Sequence, residues 1–255
     1  MKFLSAGLTN PGMKRELNED NLLILKDEGV FVVADGMGGH NAGEVASKIA
    51  VDTIAEFFHA AREDEDVTWP YKLDPTLSFD ANKLMVCVKF ANRRIFKCSI
   101  LTPEYSGMGT TIVSILAFDG QDELYVAHVG DSRCYCLHEG QLSQVTEDHS
   151  LVNEYIKAGQ ITKEQAKTFP NKNVIMRALG MKDNVLVDIQ KRQACAGDIY
   201  LLCSDGLSDM VPDNDLEALM RQDIPLDEIC QQLIDLANSN GGKDNITAVL
   251  VKVTE

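Results

Sequence analysis

Four stretches of this chain join an apolar strand to an aspartate, and no other feature limits its fold so sharply. VFVVAD closes on Asp35, YVAHVGD on Asp131 and YLLCSD on Asp205, while DNITAVLV opens on Asp244. Runs this rich in Val, Ile, Leu and Tyr read as strands buried in a sheet. An acid at the lip of each one sits where the sheet meets solvent. Turn chemistry alone accounts for any single aspartate at a strand end. It does not account for the joint pattern, in which three of the acids lie in the glycine-flanked turns ADGMGG, VGDS and SDGL. Glycine lets backbone approach a ligand closely or adopt positive φ.

The rest of the chain reads around these strands. Residues 2–8, 21–25 and 30–34 are expected as strands. Helical spacing runs from Gly43 to Ala61, with Ala46, Ile49, Ala50, Thr53, Ile54 and Phe57 on one face. A second helix fits Asp80 to Lys97, with Leu84, Val88, Ala91 and Ile95 on its stripe. The charged segment REDEDVTWPYKLDP between them holds two prolines and reads as a surface loop. TTIVSILAF, ELYVAHV and SRCYCLH are strands, and a hairpin turn after the third leads to LSQVT as its partner. Residues 150–169 are helical, broken by Gly159 and ended by Pro170. VLVDIQ and DIYLLCS are strands, helices fit 214–222 and 225–239, and NITAVLVKV closes as a strand. Short links between strands predict antiparallel sheets, and helices in blocks predict an α+β fold.

Composition excludes several functions. The 255 residues are 45% hydrophobic, enough for one large domain or at most two small ones. Asp plus Glu number 39 against 24 Lys plus Arg, a formal charge of -15. A basic nucleic-acid footprint is absent, and attraction to an anionic membrane is not expected. No apolar run reaches the roughly 20 residues that a membrane span needs. The seven cysteines include no zinc-like CxxC pair and read as reduced thiols. The opening MKFLSAGLTNPG lacks the apolar core of a leader. The expected location is the cytoplasm, and nothing demands more than a monomer.

Acids brought together without Lys or Arg repel and raise each other's pKa, and a cation relieves the repulsion. Glu19 and Asp20, in NED, add to the set near the start of another strand. Oxygen-only ligands select hard ions, so Mg²⁺ or Mn²⁺ is expected. Two ions sharing an aspartate could hold a water as hydroxide and clamp an oxyanion, and phosphate-ester hydrolysis is the natural chemistry of such a site. Arg15, in the turn-like segment PGMKRELNED, suits the grip on phosphate oxygens.

The motifs RELNEDN, VVADGMGGHNAGEVAS, GMGTT, HVGDSRCY, LLCSDGLSD and GKDNIT occur together in the order and spacing of one family. The chain resembles the metal-dependent serine/threonine protein phosphatases of type 2C, in their bacterial branch, from about residue 4 to 253. The resemblance implies one catalytic domain over 1–255. Its fold would be a β-sandwich of two mainly antiparallel sheets flanked by α-helices, with a helical flap at about 147–179. It implies that Asp35 bridges two Mn²⁺ or Mg²⁺ ions, that the Gly36 carbonyl binds one of them, and that Asp205 and Asp244 complete the site. Glu19 and Asp20 would hold metal-bound waters, Asp131 with Asp205 a third, weaker ion, and Arg15 the substrate phosphate. A metal-bridging hydroxide would then attack phosphoserine or phosphothreonine of protein substrates, opposing a bacterial Ser/Thr kinase.

One position departs from the eukaryotic pattern. Met37 stands where many members carry a histidine proposed as general acid, and a thioether cannot donate a proton. His40 is close in sequence but is expected to be structural. His59, His128, His138 and His149 are expected as packing or surface residues, and Arg177 as the partner of an acid. Two other readings stay open: a phosphatase of a sigma-factor regulator with the same chemistry, and a phosphoprotein-binding pseudoenzyme.

Overall fold

A computed structural model describes residues 1–38, 42–63, 71–166, 169 and 174–255. Alternation along its buried strands assigns their two faces. In the run Val30–Ala34, Phe31 and Val33 face an interior that they share with Val113, Val126, Cys134 and Leu202. Val30, Val32 and Ala34 point the other way, into a layer of helices. Ile199, Leu201 and Cys203 likewise face a second helical layer, while Tyr200 and Leu202 face the shared interior. Two sheets therefore lie face to face with helices outside each, an α-β-β-α sandwich.

One sheet has the order β1 (Lys2–Asn10), β11 (Ile246–Thr254), β10 (Ile199–Cys203), β7 (Arg133–His138) and β8 (Gln141–Gln144). The other runs β2 (Asp20–Leu25), β3 (Val30–Met37), β5 (Ile112–Ala117), β6 (Glu123–Val129) and β9 (Asp188–Gln193). The short β4 (Gly109–Thr110) pairs with the end of β3. The strand pairs are antiparallel throughout the described residues. Helices α1 (Ala42–Glu63) and α2 (Phe79–Leu101) cover the β2–β9 sheet through Ala46, Ala50, Ile54, Leu84, Val88 and Ile95. α5 (Asp205–Ser208), α6 (Asp213–Met220) and α7 (Leu226–Ser239) cover the other sheet through Leu207, Leu216, Ile229 and Leu233. Ser78 caps α2 by accepting the Ala81 N–H at 3.2 Å.

Several expectations shift. The strand expected at VLVDIQ lies three residues later, at Asp188–Gln193. It is a sheet edge with half-exposed residues, so polar side chains suit it better than the apolar VLV before it. The helix expected over 150–169 is two short ones, α3 (Leu151–Lys157) and α4 (Lys163–Ala166), separated where Gly159 takes φ +68°. Helix α1 also extends to Glu63, taking in the first two residues of the expected loop. Pro170 and the loop centre, residues 64–70, lie outside the described residues. No described helix is long and apolar enough to cross a membrane. All seven cysteines are free, and five of them are buried.

Candidate active site

Antiparallel pairing gathers the acids. Asp20 starts β2 and Asp35 lies near the end of β3, so the two face each other in register. Asp131 follows β6, whose end lies beside the start of β5 and hence near the end of β3. Asp205 follows β10, and Asp244 precedes the adjoining β11. Five strand ends from two sheets thus meet at one edge of the sandwich.

Polar residues of the surrounding motifs fix the backbone there. The Asp35 carbonyl accepts from the Thr111 N–H and the Thr110 hydroxyl, both at 2.8 Å, and the Thr111 hydroxyl lies 2.6 Å from that of Ser132. The GMGTT segment therefore ties Asp35 to the turn that carries Asp131. Asn245 accepts the Glu19 N–H at 2.8 Å and donates to the Pro11 and Leu17 carbonyls at 3.0 and 2.8 Å, clamping the loop that holds Arg15. A Cβ on Gly206 would overlap the Asn245 carbonyl oxygen, so close approach alone requires glycine there.

The carboxylates sit in a hostile field. Burial holds Asp35 well above the usual carboxylate range, and the charges of Asp20, Asp205, Asp131 and Asp244 add to the effect. Burial raises Asp205 to about 8, reinforced by Asp131 and Asp244. Asp20 and Asp131 rise to about 6, again mainly through burial. Asp20 Oδ2 accepts from the hydroxyls of Thr247 at 2.6 Å and Ser204 at 2.8 Å. Its Oδ1, and Oδ1 of Asp131, are buried without a hydrogen-bond partner. Burial also raises Glu19, whose carboxylate lies against Gly43 at the start of α1. A Cβ on Gly36 would overlap the Gly43 carbonyl oxygen and lie 2.5 Å from that of Glu19. Two unpartnered carboxylate oxygens, a bare backbone at Gly36 and an all-oxygen donor set fit a hard divalent cation.

Protonation of these acids has a measurable sign. Folding raises their pKa values above the ordinary 3.8, so the folded protein holds protons that the unfolded chain releases. That contribution is complete below the ordinary carboxylate range. It is lost as pH rises through about 6 for Asp20 and Asp131 and about 8 for Asp205. In EDTA the midpoint of thermal unfolding should therefore drop by several degrees across this window, since about 1 kcal/mol moves it by roughly 2–4 °C at this size. A midpoint that is level or climbs across the same pH range in EDTA would contradict the clustering.

Arg15 is exposed at the lip, and its Nη2 donates to Asp244 Oδ2 at 2.7 Å. A cleft of about 1080 Å³ opens beside Asp131 and Asp205, with Asp209 and Asp213 on one wall and α3 on the other. Arg133 in this cleft donates through Nε and Nη2 to both oxygens of Asp148 and through Nη1 to the Tyr135 hydroxyl. Met37 pairs with Gly109 in the β3–β4 ladder and is half-buried. His40 lies outside the described residues.

His128 and His149 are packing residues, as expected, but one contact of His149 was not foreseen. His149 is buried and stacks on His128 at 4.5 Å. Its Nδ1 accepts the Gly130 N–H at 3.1 Å, and its own N–H donates to the Gly130 carbonyl at 2.9 Å. Arg177 pairs with Asp188 at 2.8 Å, as an acid-pairing arginine was expected to. The segment that carries His149 thus grips the residue that precedes Asp131. The sequence DHS at 148–150 carries no local sign of this contact.

The fold and the cluster define a class, an α-β-β-α sandwich with buried carboxylates gathered at one edge. The Protein phosphatase 2C family profile matches residues 13–251. A serine/threonine phosphatase stp of Listeria monocytogenes is 38% identical over 251 residues, covering 96% of this chain and 93% of its own. The serine/threonine phosphatase PstP/Ppp of Mycobacterium tuberculosis superposes with a TM-score of 0.86 at 36% identity, over 100% of both chains. The PstP catalytic domain in complex with two manganese ions superposes with a TM-score of 0.82 at 36% identity, over 99% of each chain. The chain belongs to the protein phosphatase 2C family. It is a phosphoprotein phosphatase.

Proposed function

We propose that this phosphatase hydrolyses phosphoserine and phosphothreonine in proteins, using Mn²⁺ or Mg²⁺ held at the acid cluster. The observation that carries the reading is the meeting of Asp20, Asp35, Asp131 and Asp205, with two carboxylate oxygens buried and unpartnered. Asp35, the Gly36 carbonyl, Asp205 and Asp244 would hold two core ions. Asp131 with Asp205 offers a weaker third position, and Glu19 and Asp20 orient the surrounding water. When bound, such ions supply Lewis acidity toward a phosphoryl oxygen and lower the pKa of a coordinated water.

The chain's own groups do the remaining work. Arg15 spends one donor on Asp244 in the structure, and its exposed guanidinium can turn its other donors to a phosphate dianion. The cleft between α3 and the Asp209–Asp213 wall receives the peptide around the phosphorylated residue. Met37 brings no proton to the leaving alkoxide. A Ser/Thr protein kinase that phosphorylates the same substrates is the partner this activity opposes. The enzyme acts as a monomer in the cytoplasm. Three acids expected at the ions, Asp35, Asp205 and Asp244, remain in place, which favours turnover over mere phosphoprotein binding.

Arg15→Ala tests the phosphate assignment. The Michaelis constant for a phosphothreonine peptide should rise about tenfold, the worth of one charge-assisted contact, with kcat reduced far less. A variant with unchanged KM and lowered kcat would remove Arg15 from phosphate binding.

A further inference from the structure

At the end of the sandwich away from the acids, three side chains of different chemistry converge. His138 ends β7, and Cys195 and Asp198 belong to the turn between β9 and β10. A His138 ring nitrogen, the Cys195 sulfur and an Asp198 carboxylate oxygen all lie within 4.8 Å of one another. His138 Nδ1 is 2.7 Å from Asp198 Oδ1. Asp198 is buried, Cys195 is half-buried and His138 is exposed, so the group opens to solvent on the histidine side.

The turn is rigid where it counts. Asp198 Oδ2 accepts the Cys195 N–H at 3.0 Å, and the Asp198 N–H donates to the Cys195 carbonyl at 3.0 Å. Gly197 and Val253 N–H groups then lock the turn to β11, at 2.9 and 2.8 Å. The β7–β10 ladder runs from Arg133↔Cys203, beside the acid cluster, to Leu137↔Ile199, beside this group. Four strand steps of about 3.3 Å put it on the order of 13 Å or more from the acids.

We propose that His138, Cys195 and Asp198 form a second metal site, selective for a borderline-soft divalent ion such as Zn²⁺ or Co²⁺. Imidazole, thiolate and carboxylate are the donors that zinc takes in a tetrahedral site, with water in the fourth position. The acid cluster offers only oxygen, which suits Mn²⁺ and Mg²⁺. The two sites therefore sort ions by donor type. Binding releases the thiol proton to solvent, while the imidazole binds through Nδ1 as the neutral ring with its proton on Nε2; two plus charges against one thiolate and one carboxylate leave the site neutral. Bonds of about 2.0 Å to nitrogen and oxygen put tetrahedral ligand atoms roughly 3.3 Å apart. His138 and Asp198 must then separate by under about 1 Å, which the exposed histidine can do by rotating. Such an ion would clip the end of β7 to the β9–β10 turn, far from the reaction.

Cobalt reads this site directly. The protein is saturated with Mg²⁺ and titrated with Co²⁺, and thiolate-to-cobalt charge-transfer absorption is recorded. The acid cluster has no sulfur, so cobalt entering it gives no such band. The expected result is a band that saturates at one equivalent and is displaced by Zn²⁺. Cys195→Ser should abolish it, and His138→Gln should weaken cobalt binding at least tenfold. Both variants should keep wild-type phosphatase activity in Mg²⁺, which verifies their fold. No band in the wild type would overturn the site. A band that survives Cys195→Ser would assign it to another thiol, and one indifferent to His138→Gln would reduce the site to a lone cysteine. Either result rejects the proposal.

Discussion

Asp35→Asn should lower kcat on the order of a thousandfold or more, and should at the same time make the protein more stable in EDTA. Asparagine keeps the size of the side chain and removes a charge that would help hold a cation at the cluster. The stability gain comes from the same change. Asp35 is buried among Asp20, Asp205, Asp131 and Asp244, and its ionisation is opposed by all of them. Removing one carboxyl from the group relieves the others. Thermal melts with and without Mn²⁺ separate the effects. The variant should melt higher than the wild type in EDTA and gain less from Mn²⁺. Near-wild-type turnover would remove Asp35 from the centre of the site. An unchanged melting point in EDTA would mean that the acids do not crowd one another.

Gly36→Ala should cost about 3 kcal/mol of stability and about a hundredfold in activity, although it adds one methyl group. The new Cβ would meet the carbonyl oxygens of Gly43 and Glu19. Both are backbone atoms, so no side-chain rotation makes room. The Gly36 N–H also donates to the Glu19 carbonyl at 3.1 Å, which holds β3 against the loop carrying Glu19. The methyl must push α1 or that loop aside, and with it the geometry around Asp35. Gly36 does not take positive φ, so the penalty is one of space rather than of backbone preference. Denaturant unfolding and phosphopeptide kinetics on the same preparation would show it. An alanine variant with wild-type stability would mean that α1 can retreat from β3.

Much of this was legible in the sequence because strand alternation and strand-end acids are local signals. The run VFVVAD declares both a strand buried on two faces and the acid at its end, and the structure places each residue accordingly. The two-sheet sandwich was not legible that way. Nothing in a strand names its neighbour, and the layering came from the likeness of six motifs to one family. The β9 strand was misplaced because an edge strand carries polar residues and loses to the apolar VLV beside it. The supports of the site were invisible for another reason. Asn245 reaches Glu19 across 226 positions and Ser204 reaches Asp20 across 184, so no local pattern could announce either contact. His149 was equally hidden, since its role depends on where Gly130 lies in the fold. The structure puts Arg15 beside Asp244, and that pairing appears only when the start of β11 and the Pro11–Leu17 loop meet.

The central claim is that the acid cluster holds the ions that drive hydrolysis of protein phosphoesters. The most direct test follows phosphate release from a phosphothreonine peptide in Mn²⁺, Mg²⁺, Ca²⁺ or excess EDTA. Turnover is expected with Mn²⁺ or Mg²⁺; EDTA should abolish it and added Mn²⁺ restore it. Folded protein that binds Mn²⁺ yet releases no phosphate with any of these ions would contradict it, and would leave a phosphoprotein-binding module in the enzyme's place.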